Sequence, residues 1–149
     1  VCSLTCWGNP LAQKVEAKSS YEALLPYLAQ LDVDVVTFET ADNKGAELEV
    51  IASGIGRDKK ICIGAVTHRT LQVETPHEVA ALIKRALEFI DLDRLLISSD
   101  CGFGRQGMSR MHAFYKMVSL VKGVNLVRKE LGLDAAEAPA AVGRYDFLR

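Results

Sequence analysis

Three side chains of the kinds that bind zinc lie where short apolar segments give way to polar, turn-forming residues. Cys6 follows one such segment, Glu39 a second and Cys101 a third. Buried parallel strands are typically continuous apolar runs, and their carboxyl ends meet at one side of a sheet. We therefore expect two thiols and a carboxylate to converge there. Such a donor set suits zinc, and zinc makes a bound thiol nucleophilic at neutral pH.

This donor set indicates the transfer of an alkyl group to sulfur. Three protein ligands leave a fourth position on a catalytic zinc for the substrate. Two thiolates and a carboxylate make the metal a weak Lewis acid, yet one that holds a substrate thiolate well. Other interpretations stay open: Glu39 could be a solvated loop carboxylate, and the cysteines could be buried thiols or a Cys6–Cys101 disulfide.

An imidazole follows a fourth apolar segment, at His68. Histidine titrates at about 6.5 when unperturbed, which suits a general acid, so we predict that His68 protonates the leaving group. A loop histidine hydrogen-bonded for structure is the alternative. His77 and His112 lie in helical patterns and are predicted to be surface or packing residues.

The bulk composition is that of an ordinary globular domain. The chain has 149 residues, 49% of them hydrophobic and 25% charged, with a formal net charge of −1. The charge gives no general attraction for nucleic acid or anionic lipid, and no apolar run is long enough for a membrane helix. We therefore expect no nucleic-acid partner and no membrane partner.

Cysteine usage favours a reducing compartment. The four cysteines are scattered without the dense spacing of a secreted disulfide framework, and no signal peptide opens the chain, so we expect a cytoplasmic protein. Cys62 lies between two isoleucines in an apolar run and is predicted to belong to the core.

Strand-like runs and helical periods alternate along the chain. The predicted strands are residues 1–6, 33–38, 60–66 and 94–98. The predicted helices are residues 20–31, 45–53, 76–90 and 109–131. Thr75 and Glu78 predict a capping box at the start of the third helix. In the first helix, Ser19 or Ser20 is the predicted cap, and Pro26 is expected to bend the helix or delay its start.

Four strand–helix units in series predict an α/β fold with a parallel sheet. Two architectures fit: an open doubly wound sheet, or about half of a (β/α)8 TIM-type barrel, which ordinarily takes about 250 residues. A half-barrel would need an upstream half or self-association to cover its sheet edges. Both architectures bind ligands at the carboxyl ends of the strands.

Three further segments contain none of the predicted metal ligands. Residues 102–107 lack the lysine and hydroxyl of a phosphate-binding loop, so we predict a flexible active-site loop in which Arg105 could meet an anionic substrate group. Residues 134–149 are predicted to be a tail or linker. A helically spaced apolar series is predicted to face the core: Met108, Met111, Phe114 and Met117.

Four short segments carry a family resemblance. They are Cys6-Trp7-Gly8-Asn9, Phe38-Glu39-Thr40, His68-Arg69-Thr70-Leu71-Gln72-Val73-Glu74 and Asp100-Cys101-Gly102-Phe103-Gly104. In this order they resemble the carboxy-terminal catalytic barrel of cobalamin-independent methionine synthase and its shorter relatives. The resemblance covers residues 1 to about 133, and the Asp-Cys-Gly element with a Glu-Thr pair upstream is fairly specific.

The resemblance implies a fold, a cofactor and a reaction. The fold is a (β/α)8 barrel, with residues 1–133 as about its carboxy-terminal half. The cofactor is zinc, with Cys6, Glu39 and Cys101 as ligands. The implied reaction is methyl transfer from a folate-type donor to a small-molecule thiol such as homocysteine. Because related barrels transfer alkyl groups to coenzyme M, another thiol acceptor is the alternative.

The chain departs from the family pattern at one ligand. The histidine of the family's His-x-Cys pair falls at Leu4, which cannot bind a metal. Either three ligands suffice, with substrate in the fourth position, or the chain is a non-catalytic fragment without metal. Cys2 precedes Leu4 by two residues, but no geometric reason favours it as a replacement.

Overall fold

A computed structural model describes residues 1–7, 20–104 and 107–145. Strands and helices alternate within these ranges. The strands are β1 (Cys2–Leu4), β2 (Val35–Phe38), β3 (Lys60–Val66) and β4 (Leu95–Ser99). The helices are α1 (Leu25–Leu28), α2 (Leu48–Gly54), α3 (Pro76–Leu87) and α4 (Arg110–Glu130). Two short 3-10 helices follow, Pro139–Ala141 and Gly143–Tyr145.

The four strands form one parallel sheet in the order β1-β2-β3-β4. The α/β prediction with a parallel sheet is therefore confirmed. The order follows the chain without reversal, as it does around a (β/α)8 barrel, whereas a doubly wound sheet reverses at its switch point. The described strands thus lack the defining feature of the doubly wound alternative.

Helices cover one face of this sheet. Val36 and Ile61, which are neighbours in register, are fully buried and belong to one core cluster with Leu48 and Ile51 of α2. A second cluster joins the end of β3 to α3 and α4. Among the described helices, none combines the length and the apolar character needed to cross a membrane.

The opposite face carries a row of four residues in register: Leu4, Thr37, Cys62 and Leu96. Successive side chains of a strand alternate between faces, so this row points away from the helices. Thr37 and Cys62 are buried in the middle of the row, which confirms Cys62 as a core residue. Leu4 and Leu96, on the outer strands, are 52% and 38% exposed.

The first helix is shorter than the predicted 20–31. Helix α1 spans Leu25–Leu28, with Pro26 in its first turn, where the missing proline amide removes no helical hydrogen bond. The expectation of a delayed start is confirmed. Ser20 caps a preceding turn by accepting a hydrogen bond from the amide two residues on. Ser19 lies outside the described residues.

The remaining elements match their predicted positions to within a few residues. Helix α2 begins at Leu48 rather than at 45, because Gly45 has a φ of 71°, in the left-handed region. Strand β1 has three residues rather than six. Helix α3 has the predicted capping box between Thr75 and Glu78 and ends at Leu87, before the predicted 90.

The prediction of a core-facing series is wrong for Met111, Phe114 and Met117, whereas Met108 is half-buried and lies before α4. Met111, Phe114 and Met117 are 67%, 38% and 36% exposed. Helical spacing shows that residues share a face, but it does not show that another element covers that face. The buried residues of this helix include Val118 and Leu120 instead.

Candidate metal centre

Loops after the two outer strands bring two thiols together. Cys6 lies just beyond β1 and Cys101 just beyond β4, and their Sγ atoms are 3.5 Å apart. Two strands lie between β1 and β4, so these loops reach across the ends of β2 and β3. No disulfide joins Cys6 and Cys101 in the structure.

Glu39 completes the cluster directly after β2. One ligand atom from each of Cys6, Glu39 and Cys101 lies within 4.8 Å of the others. Glu39 is only 4% exposed, so it is not the solvated loop carboxylate of the alternative interpretation. The structure therefore brings together all three predicted ligands.

The two oxygens of Glu39 have different surroundings. Oε2 accepts a hydrogen bond from Nη2 of Arg69 at 2.9 Å. Oε1 is buried and has no hydrogen-bond partner among the described residues. A buried acceptor without a partner is costly, and a bound cation would remove that cost.

The donor set fits zinc. Two sulfurs on a tetrahedral zinc, each bonded at about 2.3 Å, lie about 3.8 Å apart, close to the spacing of Cys6 and Cys101. Thiolates and a carboxylate are ordinary zinc ligands, and Oε1 of Glu39 would supply the oxygen. Three protein donors leave a position for a substrate atom.

Asp100 fixes the Glu39 loop relative to Cys101. It is fully buried, and its carboxylate accepts hydrogen bonds from the backbone amides of Thr40, Ala41 and Asp42 at 2.8–3.1 Å. Burial raises the pKa of Asp100 to about 6, although these amide donors favour the ionised form. Sequence reasoning used Asp100 only as part of a motif and missed this role.

Gly64 makes room for Asp100 at the end of β3. A Cβ atom placed on Gly64 would lie 2.0 Å from Oδ1 and 2.5 Å from Cα of Asp100. The hydroxyl of Thr40 also donates to the Gly64 carbonyl at 2.7 Å. A glycine is needed here for close approach rather than for an unusual backbone angle.

Arg69 is a second residue that sequence reasoning missed. Its guanidinium group is mostly buried, donates to Glu39 and lies 3.9 Å from the carboxylate of Asp42. Burial lowers the pKa of Arg69, but the hydrogen bond and the charge of Glu39 outweigh it, and the net pKa is raised. The feature of the sequence that could have indicated Arg69 is its position directly after the loop residue His68.

His68 is 2% exposed and lies in the loop between β3 and α3. It is not a member of the cluster of ligand atoms formed by Cys6, Glu39 and Cys101. Its neighbour Arg69 reaches that cluster.

A buried ion pair holds this loop. Glu74 accepts from the Thr67 amide through Oε1 and pairs with Nζ of Lys116 through Oε2, each at 2.8 Å. Lys116 is fully buried in α4 and also donates to the carbonyl of Gln72. Helix α4 therefore fixes the segment that carries His68.

Other candidate residues lie apart from the cluster. The thiol of Cys2 contacts the hydroxyl of Thr37 at 3.4 Å, and Cys2 does not replace the family histidine. His77 is exposed, and the ring of His112 bonds the Ser109 hydroxyl at 2.7 Å. Arg105 lies outside the described residues.

Comparison with known proteins gives a consistent result. A family model described as cobalamin-independent synthase, catalytic domain, matches residues 16–122, a range that includes Glu39, His68 and Cys101 and begins after Cys6. A methionine synthase of Saccharolobus islandicus (strain Y.G.57.14 / Yellowstone #1) is 35% identical over 136 residues, covering 84% of this chain and 40% of that protein. A methionine synthase of Thermococcus kodakarensis is 33% identical over 113 residues, covering 76% and 32%.

A solved structure agrees with these relatives. The B12-independent methionine synthase from Shewanella sp. W3-18-1, in complex with selenomethionine, superposes with a TM-score of 0.63 and 34% identity. The match covers 74% of this chain and 31% of that one. The chain thus spans two fifths or less of these relatives. It belongs to the cobalamin-independent methionine synthase family.

Proposed function

We propose that this chain binds zinc through Cys6, Glu39 and Cys101 and uses it to transfer a methyl group to a thiol. The observation that carries the proposal is the convergence of two thiols and a buried carboxylate oxygen that lacks another partner. When bound, zinc would keep an acceptor thiol deprotonated at neutral pH. Family membership supports homocysteine as the acceptor and a folate-type compound as the donor.

The proposed architecture is about the carboxy-terminal half of a (β/α)8 barrel, formed by residues 1–133. The sequential parallel strands and the cluster at their carboxyl ends support it. Residues 134–149 would then be a tail. Part of that segment contacts α4, where the side chain of Asn125 exchanges two hydrogen bonds with the backbone of Ala136.

The proposed reaction forms one bond and breaks one. The acceptor sulfur attacks the methyl carbon, a sulfur–carbon bond forms, and the bond from that carbon to the donor nitrogen breaks. The nitrogen leaves with the electron pair and takes a proton, for which His68 is the proposed source. Arg69 orients Glu39, and Asp100 holds the Glu39 loop, so the donor atoms are in place before substrate arrives.

Metal analysis of the purified chain tests the proposal. We expect one zinc per chain, with two sulfur neighbours and one protein oxygen neighbour by X-ray absorption at the zinc edge. Cys101→Ser should lose most of the zinc, whereas Cys2→Ser, at an exposed cysteine outside the cluster, should keep it. Equal zinc content in these two variants would contradict the proposed ligand set.

One observation favours a second candidate, a non-catalytic module without metal. Leu4 stands where the family has a ligating histidine, and its side chain is half exposed. This candidate predicts a chain that folds but retains no zinc after dialysis against a zinc-buffered solution. The same metal analysis therefore separates the two candidates.

A further inference from the structure

One buried tyrosine contacts the chain next to Cys6 and at Glu39. Tyr21 lies in the turn before α1 and is 1% exposed. Its hydroxyl accepts a hydrogen bond from the Glu39 amide at 3.0 Å and also hydrogen-bonds the hydroxyl of Thr5. Because Thr5 directly precedes Cys6, a single phenol oxygen connects the chain at two of the three proposed ligands.

The ring of Tyr21 makes the same connection. Its centroid lies 4.7 Å from that of Trp7, which directly follows Cys6. Phe38, directly before Glu39, meets the Tyr21 ring edge-on, with centroids 4.9 Å apart and ring planes at 87°. Aromatic pairs at such separations attract each other beyond the effect of their buried area. The ring and the hydroxyl therefore both hold the Cys6 segment against the Glu39 segment.

The backbone of Tyr21 is itself held in place. Its amide donates to Oε1 of Glu47 at 3.0 Å, and the same oxygen accepts from the hydroxyl of Ser20 at 2.6 Å. Its carbonyl accepts from the amide of Leu25, in α1, at 3.0 Å. The phenol thus extends from a fixed turn of the helical layer to the ends of β1 and β2.

We propose that Tyr21 is a positioning residue for the cluster of proposed ligands, and that its hydroxyl sets the placement of Cys6 relative to Glu39. The inference rests on the proposed ligand set. Phenylalanine would fill the same space, and a buried hydroxyl is costly unless it regains its hydrogen bonds. Asp100, beside Cys101, holds the Glu39 loop through backbone amides. Tyr21 supplies the corresponding connection to Cys6.

Zinc affinity tests this role. Tyr21→Phe keeps the ring and removes the hydroxyl, so the zinc dissociation constant, measured by competition with a chromophoric chelator, should rise by about tenfold or more. The matched control is Tyr27→Phe, which should leave the constant unchanged, because Tyr27 lies in α1 and is 72% exposed. A tyrosine that only stabilises the fold would change urea unfolding and leave zinc affinity as in wild type. That result would overturn the proposal.

A second variant removes the other hydroxyl of the connection. Thr5→Val keeps nearly the same side-chain shape and should also raise the zinc dissociation constant. Combined with Tyr21→Phe, it should raise the constant by less than the product of the two separate effects, because both remove one shared hydrogen bond. Effects that multiply would overturn the proposal. If Tyr21→Phe does not fold by circular dichroism, Thr5→Val alone decides, and an unchanged constant would overturn the proposal.

Disulfide formation in the metal-free chain gives a readout that needs no zinc. The Sγ atoms of Cys6 and Cys101 are 3.5 Å apart, so diamide should oxidise the two thiols to a disulfide. The diamide takes up their two electrons and two protons and becomes a hydrazine. Tyr21→Phe should slow this reaction at least about threefold, because the two thiols would meet less often, whereas Tyr27→Phe should not. Peptide mapping identifies the bonded pair.

The two readouts separate this inference from the proposed function. A Cys6–Cys101 disulfide that forms as fast in Tyr21→Phe as in wild type would overturn the positioning role. A wild-type chain that binds no zinc, but whose disulfide forms more slowly in Tyr21→Phe, would refute the proposed function while the role of Tyr21 in the cluster stands.

Discussion

Arg69 sets the balance of charge around Glu39. The carboxylate is 3% exposed at its side chain and lies beside two thiols, which would add negative charge when ionised. The guanidinium group of Arg69 donates to Oε2 and supplies the nearby positive charge. This contact leaves Oε1 available, so Arg69 positions Glu39 without occupying the oxygen that would bind the metal.

Removal of Arg69 should destabilise the metal-free chain. In Arg69→Ala the Glu39 carboxylate would be buried without a counter-charge, which typically lowers the free energy of unfolding by about 3–5 kcal/mol. The double variant Arg69→Ala with Glu39→Gln should recover part of this loss, because the uncompensated charge is gone. Urea unfolding of the four proteins in the cycle measures both effects. A double variant no more stable than Arg69→Ala would contradict the ion-pair interpretation.

Any side chain at position 64 should destabilise the protein. In Gly64→Ala the new methyl group would collide with the backbone and the carboxylate of Asp100, so we expect a loss of at least about 2 kcal/mol in the free energy of unfolding. Gly102→Ala is the matched control, because a Cβ atom there meets nothing within 4 Å. Equal stability of the two variants in urea would show that the close approach does not constrain the site.

At the scale of elements, local signals decide how much is predictable. The start of α3 was predicted correctly because Thr75, Pro76 and Glu78 act within one helical turn. The convergence of three donors was predictable from the carboxyl ends of parallel strands. The exposure of Met111 was not, because helical spacing contains no information about which neighbours are present.

The same limit applies to the residues that support the site. Arg69 and Asp100 act through contacts that span 30 and 60 positions along the chain, to Glu39 and to the amide of Thr40. No local pattern of residue types distinguishes a residue that makes such contacts from an ordinary charged residue of a loop.

The capping box of α3 should contribute measurable stability. Thr75→Ala removes the acceptor for the Glu78 amide and should lower the free energy of unfolding by about 1 kcal/mol. Thermal unfolding at neutral pH measures this. A change well below that size would show that the cap is replaced by water or by another group.

The contribution of the Glu78 side chain to the stability of the capping box should depend on pH. Hydrogen bonds from the Thr75 amide and hydroxyl lower the pKa of Glu78 below its ordinary 4.5. Because the pKa is lower in the folded state, the contribution of Glu78 to the free energy of unfolding is fully present above a pH of about 4.5. It is lost as the pH falls through the pKa of the folded state. The stability difference between wild type and Glu78→Gln should therefore shrink below pH 4.5. A difference that stays constant down to pH 3 would contradict this assignment.

At the scale of the whole molecule, we expect a fold that forms without a bound metal. Two apolar clusters hold the sheet and helices together, and the donor atoms are positioned by Asp100 and Arg69. We expect a chelator to remove bound zinc while the far-ultraviolet circular dichroism spectrum stays unchanged and the thermal transition stays cooperative. The midpoint should fall, because a ligand of the folded state stabilises it. Loss of the cooperative transition would instead place the zinc among the determinants of folding.

The separation of Cys6 and Cys101 by 95 positions has a consequence for synthesis. A nascent chain in which β4 has not yet been synthesised presents only Cys6 and Glu39 of the three proposed ligands, one fewer than the three protein ligands of a typical catalytic zinc site. Under the proposed ligand set, zinc binding would therefore follow translation of Cys101. A product that stops before Cys101 would then lack one of the three proposed ligands.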